Sequence, residues 1–191
     1  MGFSDIRYMV VSSKLDHHIS HAGGCFAAFC RAAHHKNEGG KMTKELIKDY
    51  TLRITQANAS EIVVIVYDIT EQYIKDALSS YDKGDYEEFE TNCRNACRCV
   101  DDLLQALDFS YELAYPLMRL YIFVNREISV ASVSRKTEGL LNARGILISL
   151  RDAFAEAAKK DSSAPVMTNT QAVYAGLTYG RNQLNESIND T

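Results

Sequence analysis

A chain of 191 residues, 46% hydrophobic and 24% charged, is long enough to bury one sizeable core. Its 21 Lys+Arg stand against 25 Asp+Glu, a formal net charge of −4 that excludes a broad basic footprint for nucleic acid. Ten Gly and two Pro punctuate too rarely for a many-stranded sheet. The expected class is therefore all-α, an antiparallel four- to five-helix up-and-down bundle.

Residues 1–45 read as a poorly patterned His-rich extension. They hold all five histidines (His17, His18, His21, His34, His35) and the pairs Gly23-Gly24 and Gly39-Gly40. Ala22 to His35 offers one short helix with Phe26, Phe29, Cys30 and Ala33 on a face, marginal between its glycines. The apolar run Tyr8 to Val11 is too short for a signal peptide or a span, and so is Ile62 to Tyr67, so no membrane insertion is expected. The five cysteines (Cys25, Cys30, Cys93, Cys97, Cys99) are an odd number without a disulfide framework and read as reduced cytosolic thiols.

Regular patterning begins at Asn58, which can cap a helix while Glu61 reaches back to the cap residue's own N–H. Ile62, Ile65, Val66, Ile69, Tyr73 and Ala77 then recur at helical spacing to about Tyr81. Val63, Val64, Ile74 and Leu78 widen that stripe, which implies more than one packing neighbour. Asp82-Lys83-Gly84 is the stop, with glycine supplying a left-handed exit, and Asp85 with Glu88 repeats the capping logic. A second helix carries Tyr86, Phe89, Cys93, Ala96, Val100, Leu103 and Leu107 at alternating intervals of three and four, a bundle seam.

Tyr115-Pro116 opens the third helix, since proline fits a first turn where its missing N–H is no loss. Leu117, Leu120, Tyr121, Val124, Ile128 and Ala131 mark its apolar face, and the serine-rich run Ser129 to Ser134 is expected to end or fray it. Leu140, Ala143, Leu147, Leu150, Phe154 and Ala157 define a fourth helix ending near Lys159-Lys160, whose charges suit a C-terminus. Residues 161–191 read as a linker, Asp161 to Pro165, followed by a short helical tail.

Catalytic constellations are missing from the patterned region. With no histidine after His35, neither the Glu-x-x-His ligands of a dinuclear metal bundle nor a core imidazole base is available. Neither a G-x-S-x-G elbow nor a phosphate-binding glycine loop occurs. No enzyme activity, cofactor or metal is therefore expected. Cys25, Cys30 and His34 with His21 or His35 match zinc spacing poorly, and Cys93 reads as a small core hydrophobe. Tyrosine is over-represented, 11 against 7 Phe and no Trp, which marks Tyr50, Tyr67, Tyr73, Tyr121, Tyr174 and Tyr179 as wet-edge or interface candidates beside ordinary core-edge packing.

The stretch LIKDYTLRITQANASEIVVIVYDITEQYIKDALSSYDKGDYEEF resembles the opening of the flagellar secretion chaperone family, the FliS-like flagellin chaperones. Tyr50 matches the family's first tyrosine, Ala57 to Ile62 its Ala-Ser-Pro-Glu-Glu-Leu cap, and Val66-Tyr67-Asp68 its Leu-Tyr-Asp motif. Asp82 to Tyr86 resembles its first turn, and Leu120 to Ile128 its Leu-Tyr-x-Tyr-x-Asn-Arg-Arg-Leu helix. Asn58 replaces serine, Ala59 replaces proline, and Glu127 replaces a basic residue.

The resemblance implies a bundle over residues 46–160 that binds the C-terminal helices of flagellin in the cytoplasm and prevents polymerisation before secretion. The flagellar export gate is a second candidate partner. The implied contact set is Tyr50, Ile54, Ile62, Ile65, Ile69 and Tyr73 with Leu117, Tyr121, Val124, Asn125 and Ile128, Tyr50 folding over the groove when the guest is absent. The alternative is a generic helical-bundle adaptor or homo-oligomeric module.

Overall fold

The computed structural model describes residues 42–167. Expectations for the histidine extension before Met42, and for Tyr174 and Tyr179, lie outside the described residues. Among the described residues are five helices and no strand: α1 (Lys44–Gln56), α2 (Ala59–Asp82), α3 (Tyr86–Gln105), α4 (Ala114–Ser134) and α5 (Glu138–Ala158). Helix α2 packs on α3 and α5, and α4 packs between α3 and α5, closing a four-helix ring, while α1 lies outside it with α2 as its main helix neighbour. The α2–α3 and α4–α5 turns are short, which makes those neighbours antiparallel.

Local signals place the boundaries. The Asn58 side chain accepts from the Glu61 N–H at 2.9 Å and Glu61 Oε2 accepts from the Asn58 N–H at 2.9 Å, a complete capping box. Gly84 takes φ +75° at the α2–α3 turn, and Asp85 caps α3 by accepting from the Glu88 N–H at 3.0 Å. The core is the overlap of the helical seams. Phe89, Cys93, Ala96, Val100 and Leu103 of α3 meet Leu117, Tyr121, Val124 and Ile128 of α4, Leu140, Leu147 and Phe154 of α5, and Tyr67 and Ile74 of α2.

Some expectations need correction. Regular structure begins before Asn58, in residues 44–56. They belong to the amphipathic helix α1, capped by Thr43, whose Oγ1 accepts from the Leu46 N–H at 3.2 Å. Ile54 accordingly lies on α1, before the joint at Ala57-Asn58, and not on the helix that follows. The serine-rich run does not end α4 early, since helix continues to Ser134, whose hydroxyl bonds back to the Val130 carbonyl at 2.7 Å. The stop is Arg135 in the left-handed region, φ +52°. Its guanidinium sits 4.6 Å over the Tyr86 ring, holding Tyr86 at the rim and not in the seam. Tyr67 and Tyr121, expected at wet edges, are central: their hydroxyls bond each other, and Tyr67 packs on Phe154 with ring centroids 5.5 Å apart. Among the described residues Cys93 and Cys97 are free, Cys93 buried in the core and Cys97 half-buried.

Close approach of α4 and α5 depends on Gly139, where an added Cβ would lie 2.7 Å from the Glu127 carbonyl oxygen. Backbone cannot yield there without moving a helix. Gly139→Ala should destabilise by about 1–3 kcal/mol through overpacking. Gly145, with open space around it, gives the contrast: Gly145→Ala should stabilise α5 by about 0.5–1 kcal/mol. Urea melts of the two variants, moving in opposite directions from the parent, check the pair.

Candidate functional site: the α1-covered face of α2

Helix α1 turns one stripe toward the bundle, with Ile47, Tyr50, Thr51 and Ile54 buried at spacings of three, one and three, joined by Met42 before it and Ala57 after it. Helix α2 is buried on two stripes. Val63, Tyr67, Thr70, Ile74 and Ala77 form one, and Tyr67 places it against α4 and α5. Ile62, Ile65, Ile69 and Tyr73 form the other, about 90–180° round the helix at 100° per residue. Ile65 and Val64 line a cleft of about 450 Å³ with Arg53 and Ala57 on one side and Ala155 and Ala158 of α5 on the other.

Asp68 is the polar anchor of this face. Its Oδ2 accepts from Arg53 of α1 at 2.7 Å and its Oδ1 from Arg151 of α5 at 3.0 Å, with the carboxylate side chain only 13% exposed. The Asp68 carbonyl also accepts from the Tyr50 hydroxyl at 3.4 Å, and the Arg53 guanidinium lies 5.5 Å from the Tyr50 ring centre. Burial, then the neighbouring Asp68 charge, pushes the Tyr50 phenol up to about 12, so it keeps its proton and remains a donor at physiological pH. Tyr73 is likewise pushed up to about 12, first by burial and then by Asp76. One turn beyond Asp68, Glu71 pairs with Arg144 of α5 at 3.0 Å and with Lys75 at 3.0 Å. Burial raises the Glu71 carboxyl, but the Lys75 and Arg144 contacts outweigh it and hold the group below its ordinary range. Two ion pairs thus tie α2 to α5, whereas Arg53 supplies the ion pair that ties α1.

The residues singled out from sequence do not make one surface. Tyr50 and Ile54 on α1 are brought against the α2 face that contains Ile65. Leu117, Tyr121, Val124 and Ile128 are sealed in the four-helix core, Tyr121 at 1% exposure. Burial holds the Tyr121 phenol neutral, outweighing the hydrogen bond from Tyr67, which acts in the opposite direction. Asn125 is half-buried on the α3–α4 seam, donating from Nδ2 to Asp101 at 2.6 Å. Sequence reasoning missed Arg53, Arg151 and the anchoring role of Asp68. The signal was available in part, since Asp68 is the only charged residue between Ile62 and Thr70.

The α4 surface away from the core is also apolar. Tyr115, Ile122, Val130 and Val133 share one face, Val133 at 89% exposure, with Arg119 and Arg126 between them. Among the described residues no cluster of three or more His, Cys, Asp or Glu side chains is placed to hold a metal ion, and no helix is long and apolar enough to cross a membrane.

A small capped bundle with a peripheral apolar helix anchored at a Val-Tyr-Asp motif is the geometry on which the comparison with known families bears. The family described as Flagellar protein FliS matches residues 35–161. The chain belongs to this family. The match takes in all five helices and reaches Asp161, further at both ends than the motifs legible in the sequence. A comparison with curated proteins found no match. Family membership makes the chain a flagellar chaperone and not an enzyme.

Proposed function

We propose that this chain is a cytoplasmic export chaperone that receives the C-terminal helices of flagellin and keeps the monomer from polymerising before secretion. The observation that carries the reading is α1 itself. It is an amphipathic helix, outside the four-helix ring, that seals an apolar face of α2 through one flank and one ion pair. A guest helix with the same apolar spacing can take its place, exchanging α1 contacts for its own. Filament subunits need such cover, because helices that pack against neighbours in a filament associate prematurely in solution unless another surface occupies them.

In this reading Tyr50, Ile54, Ile62, Ile65, Ile69 and Tyr73 form the exchange site, and Leu117, Tyr121, Val124 and Ile128 fix the position of α2 from behind. Asn125 keeps α4 in register with α3, and the outward α4 stripe gives a wrapping guest a second place to lie. The export gate would then compete for the displaced α1 or for the guest, with no covalent step. The cytoplasmic placement rests on the family role.

Calorimetric titration with a flagellin C-terminal peptide tests the proposal. Saturable heat that survives a several-fold rise in salt is expected, because burial and not screened charge drives the exchange. Folded protein that gives no saturable heat, and runs as a stable homodimer with or without peptide, would replace this reading with the homo-oligomeric one.

A further inference from the structure

We infer that Asp161 is a positioning residue for α1, and that the strap from Lys159 to Met167 locks the joint about which α1 would swing. The purpose of the lock rests on the guest-exchange reading above; its mechanics do not.

Helix α5 ends at Ala158, but the chain then crosses the start of α2. Asp161 is 9% exposed, and its Oδ2 accepts from the Ser60 hydroxyl at 2.6 Å. Its backbone carbonyl accepts from Asn58 Nδ2 at 3.1 Å, and its Oδ1 accepts from the Ser163 N–H at 3.0 Å, which folds the strap back on itself. Further along, the Val166 N–H donates to the Ala57 carbonyl at 3.1 Å, and Val166 and Met167 pack on the edge of the core.

Ala57 is the C-cap of α1 and Asn58 the N-cap of α2, so the strap grips both sides of the link between the two helices. The direction of the Ala57 carbonyl is set by ψ of Ala57, here 143°. Swinging α1 away from α2 needs rotation at this residue or the next, and a carbonyl already engaged by Val166 opposes it. Asn58 serves both, its Oδ1 on the capping box and its Nδ2 on Asp161, so one side chain couples the cap to the strap. The negative carboxylate of Asp161 beside the first turn of α2 adds a favourable helix-dipole contact. Opening of α1 and undocking of the strap are therefore one coupled event.

Hydrogen exchange of the full chain, followed by peptide, tests this without any guest. In Asp161→Ala the amides of 44–56 should exchange about tenfold faster, given the loss of hydrogen bonds to a charged group, while those of α3 and α4 stay within twofold of the parent. Val166→Pro, which removes the donor to Ala57 and trims the Val166 side chain but leaves the Asn58–Glu61 cap intact, should accelerate the same amides and serves if the Asp161 variant folds poorly. Unchanged exchange over 44–56 in both variants overturns the inference, and so does acceleration spread evenly over α3 and α4, which would make the strap a general stabiliser. Association rates with the flagellin C-terminal peptide form the second arm. Faster association in the variants supports the coupling to loading. Faster α1 exchange with no peptide binding to any form leaves the lock standing and removes the guest reading.

Discussion

Tyr50→Ala should tighten the apparent affinity for a flagellin C-terminal peptide by roughly ten- to a hundredfold, because a closed α1 taxes binding by the fraction of molecules that are open. Tyr50 is buried on the inner face of α1, and truncating it removes about 1.5–3 kcal/mol of apolar burial. Its hydroxyl bond to the Asp68 carbonyl, at 3.4 Å, adds little. Since each 1.4 kcal/mol is a factor of ten in an equilibrium, the open population rises by about one to two decades. The gain should sit in the association rate, which stopped-flow mixing measures, and dye binding to the peptide-free variant should rise with it. A variant that opens by the dye criterion yet binds the peptide more weakly would make Tyr50 part of the guest's seat, not part of the cover.

Phe154→Ala should lower the melting temperature by roughly 10–20 °C. A buried Phe→Ala truncation loses about 3–5 kcal/mol in transfer and cavity terms, and in a domain of this size each kcal/mol moves the midpoint by about 3–4 °C. The site is demanding because Phe154 supports the Tyr67 ring, whose hydroxyl in turn meets that of Tyr121 in the centre of the core. Burial pushes both phenols up, so the pair stays neutral and one hydroxyl donates to the other. Tyr121→Phe alone should therefore cost about 1–3 kcal/mol by leaving the Tyr67 hydroxyl without its partner, while adding Tyr67→Phe should recover much of that loss. Thermal melts of the two single variants and the double variant measure the coupling, and strictly additive losses would mean that the hydroxyl pair contributes nothing of its own.

What the sequence determined by itself is whatever four or five neighbouring residues can specify. Asn58 with Glu61, Gly84 in its left-handed turn, and Asp85 with Glu88 act over a single helical turn, so their chemistry is complete in the local string. The seams of α3, α4 and α5 are legible for the same reason, because helical spacing alone decides which side chains share a face. Which of two apolar stripes meets which neighbour is not local. Val63 and Tyr67 turn to the core and Ile65 to α1, yet the string marks both stripes alike. Leu120, spaced as core, is exposed, and Val133 carries an apolar side chain into solvent, since their surroundings come from other helices.

The ionic anchor and the strap are further out of reach. Asp68 draws Arg53 and Arg151 from positions 15 and 83 residues away, and Asp161 reaches Ser60 across 101 residues. A charged side chain declares its sign in the sequence, but its partner is chosen only when the chain has folded and brought distant turns within about 3 Å, the range in which a hydrogen bond has any strength. Tertiary structure alone decided that α1 lies on α2 with Arg53 at Asp68 and with its joint gripped at Asn58 by Asp161, because the first contact exists only once α1 has folded back on α2 and the second only once α5 has returned alongside it.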